Sequence, residues 1–228
     1  MQSAPNPIRL GAKAMKKLHL ALLVLTVIAL PMRAETIHFD DAKPGEVPPG
    51  WIASKTGGGN PRWTVVADES APSKPNVLKQ SGEADYAICL KDGSDLRDGF
   101  VEVKFKPIAG KEDQGGGIIW RAKDADNYYV CRANALEDNF VLYKTVKGKR
   151  TSLDIVGQKG GYGVSTKVAK SAWHTIRVEF AANRFRAIFD GKVTFDVEDN
   201  TFADAGKVGV WTKADSVILF DDFSFGPK

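Results

Sequence analysis

Arg121, Arg132 and Arg177 each stand inside a run that is otherwise apolar: Ile118-Ile119-Trp120-Arg121-Ala122, Tyr129-Val130-Cys131-Arg132-Ala133 and Ile176-Arg177-Val178. A guanidinium stays charged and carries five N–H donors, so a hydrophobic core does not take it without partners. Each is therefore expected to emerge on a face turned away from the core. Period-two alternation puts Tyr128 and Asn134 on the same side of a strand as Arg132. Arg121, Tyr128, Arg132, Asn134 and Arg177 are thus predicted to share one surface. Gathered there, arginine forks would grip hydroxyls or anionic groups bidentately, and the aromatic ring would supply a stacking plane. Arginines spread singly over a solvated outer sheet satisfy the same pattern.

Acids and nucleophiles offer less. A retaining glycosidase needs two carboxyls roughly 5 Å apart, and no strand supplies such a pair. Glu137 and Asp138 are the best remaining acids, and their other reading is a solvated turn. His174, beside Trp173, has the chemistry of a general base, or of a surface or satisfied histidine. No serine elbow and no zinc-type spacing occurs, so no catalytic residue is assigned. Cys89 and Cys131 are the only cysteines. In an oxidising compartment they could pair; otherwise they are two small apolar core residues.

The elements that would position these residues begin after a leader. Met15-Lys16-Lys17, the aliphatic run Leu20 to Leu30, and Pro31-Met32-Arg33-Ala34 form a charged start, a short apolar stretch and a small residue before a cut at Glu35. Translation is expected to begin at Met15. The apolar run is about half of the roughly 20 residues a membrane span needs. The division is therefore a signal peptide over 1–34 and a domain over 35–228, exported to the periplasm or secreted. The leader carries Arg9, Lys13, Lys16, Lys17 and Arg33 and no acid; without those five, 32 basic residues become 27 against 28 acids, a net −1 instead of +4. Nothing in that balance favours nucleic acid as a partner.

The domain reads as strands almost throughout. In Phe100 to Pro107, Val101, Val103 and Phe105 face one way while Glu102, Lys104 and Lys106 face the other. Trp173 to Phe180 alternates likewise. Arg184–Phe189 and Lys192–Val197 flank Asp190-Gly191, a favoured two-residue hairpin turn. Further strands are expected at Ala84–Leu90, Gly117–Ala122, Tyr128–Asn134, Phe140–Val146, Val208–Thr212 and Ser216–Phe225, and the Pro/Gly-rich stretch Lys43–Pro61 is expected to be a surface loop. No helical stripe appears, which points to an all-β, two-sheet antiparallel jelly-roll sandwich.

Three segments carry a resemblance: Gly115 to Val130, with Gly-Gly-Gly-Ile-Ile-Trp-Arg; Trp173 to Phe180 with the hairpin after it; and Gly206 to Thr212 followed by Leu219-Phe-Asp-Asp-Phe223. In this order they resemble the concanavalin A-like lectin/glucanase superfamily, in its laminin-G-like and family-16-glucanase-like branches. The resemblance implies two curved sheets with a concave face that holds sugar. On it the five residues above would lie, with Trp120, Tyr129, Tyr143 and Trp173 as further aromatic candidates. It also implies a structural calcium where the first and last strands meet, for which Asp40, Asp41, Asp221 and Asp222 are the candidate ligands; solvated strand-end acids are the alternative. The family-16 acid motif Glu-x-Asp-x-x-Glu is absent. The expected function is non-catalytic glycan binding. The alternatives are a glycoside-active enzyme of the same fold, such as the 3-keto-disaccharide hydrolases, and a structural or protein-interaction module.

Overall fold

The computed structural model describes residues 1–4 and 33–228, without the side chains of 193 and 194; the signal-peptide reading falls on residues outside this range. Among the described residues sixteen strands and no helix occur: β1 Glu35–Ile37, β2 Trp51–Asn60, β3 Trp63–Ala67, β4 Asn76–Gln80, β5 Glu83–Lys91, β6 Gly99–Ala109, β7 Gly115–Asp124, β8 Asn127–Asn134, β9 Asn139–Val146, β10 Lys149–Ser152, β11 Val164–Ser165, β12 His174–Ala181, β13 Arg184–Phe189, β14 Lys192–Glu198, β15 Lys207–Ala214 and β16 Val217–Gly226. No helix among them is long and apolar enough to cross a membrane.

The strands build two antiparallel sheets. The first runs β14-β13-β12-β6-β16-β4-β3, with β1 also on β16; the second runs β10-β9-β8-β7-β15-β5-β2, with β11 also on β9. Alternation decides the core between them. From the first sheet come Val101, Val103, Phe105, Ile176, Val178 and Phe220; from the second, Ile118, Trp120, Tyr129, Cys131, Leu142 and Val210. Aromatic rings interlock across the gap, Trp120 meeting Phe185 edge-on with centroids 5.4 Å apart. Such pairs contribute about 0.5–1.5 kcal/mol beyond their buried area. Asp190-Gly191 turns the β13–β14 hairpin with φ of 49° and 76°, both left-handed as the tight turn demands.

One expectation is corrected here, and one open alternative is resolved. Lys43–Pro61 is not wholly loop, because Trp51–Asn60 forms β2 along β5. As an edge strand, β2 needs little apolar alternation, and its Gly57-Gly58-Gly59 bulge hides the rest. Cys89 and Cys131 are free. They stand in one row of a single sheet, Cys89 beside Val210, Val210 beside Ile118, Ile118 beside Cys131. That is three strand spacings, roughly 14 Å, about twice the reach of a disulfide.

Candidate functional site

The outer face of the second sheet holds a second apolar cluster. Ile88, Leu90, Ile119, Tyr128, Val130, Val141, Tyr143 and Trp211 are buried there, away from the core between the sheets. Glycines make the room. Gly115 and Gly117 of β7 point to this face, and a Cβ on Gly117 would lie 2.8 Å from Arg132 Cβ. Tyr86 stacks on Trp211 with centroids 5.5 Å apart and planes 22° from parallel. Beside this platform lies a cavity of ≈ 520 Å³ bordered by Gly57–Gly59, Glu83, Asp85, Tyr86, Glu112 and Lys213.

Arginine 132 is 1% exposed. Its guanidinium donates to Glu137 Oε2 at 2.8 Å, to Tyr143 Oη at 3.0 Å, to Tyr162 Oη at 3.1 Å, and to Asn139 Oδ1. Its Nε has no acceptor. Burial alone would raise the Glu137 carboxyl, but bonds from Asn139 and Arg132 hold it below its ordinary value. Asn134 donates to Asp113 Oδ1 at 3.0 Å, and Lys213 reaches Asp113 Oδ2 at 2.8 Å. Tyr128 meets Thr56 Oγ1 at 2.9 Å. Among the described residues Arg150 of β10 has no acid partner; its guanidinium carbon lies 4.3 Å from the Tyr143 ring centroid, 4.7 Å from Tyr86 and 5.3 Å from Trp211.

The five expected residues therefore divide. Tyr128, Arg132 and Asn134 share the second sheet's outer face, but as buried, bonded groups. Arg177 lies on β12 of the first sheet, because alternation fixes a residue's face within a sheet without saying which sheet. Arg121, 0% exposed, departs for another reason. Its φ is 50°, at a bulge between β7 and β8, which turns its side chain over Phe180 and Phe185 at the end of the core. There it donates to Arg97 O, Phe202 O, Ala182 O and Asp98 Oδ1. Burial lowers its pKa, with Asp98 working the other way. Trp120 and Tyr129 are core residues, and Trp173 packs with Val77 and Leu219 in the first sheet.

Sequence reasoning missed Tyr86, Arg150, Trp211, Tyr162 and Lys213. Trp211 follows core residue Val210 by one position, and Tyr86 precedes core residue Ala87, so alternation would have placed both. Arg150 had no such signal, since the short edge strand β10 carries no apolar pattern.

The other expectations resolve locally. Asp138 is bonded by Lys167 and Val168 N. The His174 ring nitrogens lie 2.8 Å from Asp190 Oδ2 and 3.0 Å from Ala169 O, so neither is free to act as a base. The four acids expected to hold calcium do not meet as one set. Asp40 accepts from Asn76 N, and Asp41 is exposed. Asp221 is buried and bonded by Ser73, while Asp222 is bonded by Lys104 at 2.6 Å and His38 at 2.7 Å. The donors brought together are His38, Asp221 and Asp222, within 4.8 Å of one another. One imidazole and two occupied carboxylates are a poor match for an ion that takes six to eight oxygens.

The chain matches no protein-family model and no curated protein. Among solved structures it is similar to the carbohydrate binding module CBM66 from Bacillus subtilis (19% identity, 76% of this chain and 93% of that one, TM-score 0.60). A second is the cellulose induced protein Cip1 (13%, 78% and 91%, TM-score 0.55). A third is a prokaryotic beta-1,3-1,4-glucanase (lichenase) derived from a mouse hindgut metagenome (13%, 87% and 100%, TM-score 0.53). The fold is a concanavalin A-like jelly-roll sandwich.

Proposed function

We propose that this protein binds a glycan on the outer face of its second sheet, without catalysing a reaction on it. The observation that carries the reading is the partly exposed Tyr86 ring, backed by buried Trp211, beside a ≈ 520 Å³ cavity rimmed by hydrogen-bonding side chains. Flat aromatic area next to convergent polar groups suits a sugar ring. The solved structures of the same fold include a carbohydrate binding module and a glucanase, which agrees with a carbohydrate ligand and leaves binding and catalysis equally open. Binding is favoured because Glu137 and Asp113, the carboxylates on the sheet floor, are already spent on Arg132 and Lys213. The signal-peptide reading of residues 1–34 supports a site of action outside the cytoplasm.

A glycan-array screen of the purified protein, followed by Tyr86→Ala, tests the reading. Tyr86 is only partly buried, so the variant should keep its melting temperature within a few degrees and lose about fivefold in affinity, matching a ring contact of roughly 1 kcal/mol. Array hits whose affinity ignores Tyr86 would move the site elsewhere. One observation favours the enzymatic alternative: Glu83, Asp85 and Glu112 converge on the cavity from β5 and the β6–β7 loop. Release of reducing ends from the bound glycan, abolished by Asp85→Asn or Glu112→Gln, would replace the binding reading. Calcium has no part in this proposal, because Asp221 and Asp222 are already bonded by Ser73, Lys104 and His38. A chelator should therefore leave the melting temperature unchanged, and a fall reversed by added calcium would contradict this.

A further inference from the structure

Arg150 differs from the other cations of the second sheet's outer face. Arg132 is paired with Glu137 and Lys213 with Asp113. Arg150 has no carboxylate within ion-pair distance and no hydrogen-bond acceptor among the described residues; three aromatic rings are its partners. Its Nη1 is sealed against them without an acceptor, while the side chain as a whole is partly exposed. Rings stabilise the charge through their π faces, but they accept none of the five N–H bonds a guanidinium can make in a planar fork. Only Nη1 is sealed in this way; the Nε and Nη2 edge of the fork has no protein acceptor among the described residues and is open to one from outside.

We propose that the ligand is an acidic saccharide and that its anionic group, a carboxylate or sulfate ester, docks on Arg150. This rests on the glycan reading above and names the class of glycan. Planar, bidentate pairing is what an arginine offers such groups. The acids nearby set the ligand's direction. Glu83, Asp85 and Glu112 border the adjoining cavity and would repel an anion there, but they accept bonds from sugar hydroxyls. Tyr86 belongs to both regions, bordering the cavity and lying under Arg150. The neutral, hydroxyl-bearing ring thus enters the cavity across Tyr86, and the anionic substituent turns toward β10.

The experiment uses an array of matched saccharide pairs, oligouronates with their methyl esters and sulfated galactans with their desulfated forms, probed with the purified protein, Arg150→Met and Arg150→Lys. The expected result is at least tenfold preference for charged members, declining with added salt. Uronate-only or sulfate-only preference identifies which anion is read. Arg150→Met should bring charged and neutral members within twofold of each other, with neutral binding retained. Arg150→Lys, which keeps the charge and loses the fork, should recover part of the preference and serves if the methionine variant does not fold. Equal binding of charged and neutral members by the native protein would overturn the acidic-ligand inference and leave the glycan reading standing. Binding to no saccharide would overturn both. A preference that survives in both variants would overturn the assignment to Arg150.

Discussion

On the outer face of the first sheet, Arg177 lies between Glu102 and Glu179, its guanidinium 3.9 Å over the Phe100 ring, and Lys228 bonds the same Glu179. On the outer face of the second, Arg150 covers three aromatic rings and meets no acid. Both faces come from strands of the same alternation. The first carries charged neighbours that neutralise one another across β6 and β12, which is how a solvated sheet is finished. The second carries Tyr, Trp and Gly where the first has Glu and Lys, so it buries its own floor and leaves cationic donors without acceptors. On the proposed reading, the difference separates a surface whose charges neutralise one another from one that keeps donors for a ligand.

Arginine substitutions test that contrast from the largest effect down. Arg121→Ala should destabilise most, by roughly 3–5 kcal/mol in denaturant unfolding, because it strips a fully buried cation from three main-chain carbonyls and Asp98. A loss under 1 kcal/mol would mean that the bulge at Arg121 is not a structural keystone.

Arg132→Ala should cost about 1.5–3 kcal/mol, the range for hydrogen bonds to charged groups. From the sequence alone Arg132 reads as an exposed strand residue whose loss the fold would ignore; its burial among Glu137, Tyr143 and Tyr162 reverses that. Acid should act on the same contact from the other side. Glu137 is held below its ordinary pKa in the fold, so near that ordinary value, about pH 4, the unfolded chain binds more protons. Its contribution is present above that range and lost as pH falls through the lowered folded value. A variant whose stability loss does not shrink in acid would contradict the pairing.

Arg177→Ala should cost least, within about 1 kcal/mol, as partly exposed ion pairs do, and should leave glycan binding unchanged. A binding defect there would erase the distinction between the two faces.

Much of this was legible in the residues. The alternation of Tyr128, Val130, Arg132 and Asn134 against Tyr129, Cys131 and Ala133 was readable and holds through β8. What was not readable is what alternation does not contain. It does not say which sheet a strand joins, so Arg177 was grouped with residues on the far side of the molecule. It does not announce a bulge at a residue other than glycine. Arg121 and Asp222, with φ of 50° and 47°, each reset the parity of their strand. After Asp222 both Phe220 and Phe223 face the core, a spacing of three that no strict strand allows. The proposed binding face was legible only in part, because Arg150 arrives on a four-residue edge strand and Tyr86 and Trp211 come from strands distant in sequence.

The most direct test of the account is hydrogen–deuterium exchange on the protein with and without its strongest array ligand. Protection concentrated in β5, β9, β10 and β15, with β6, β12 and β16 unchanged, is the expected result. Protection on β6 and β12 instead would contradict the claim that the second sheet's outer face is the working surface.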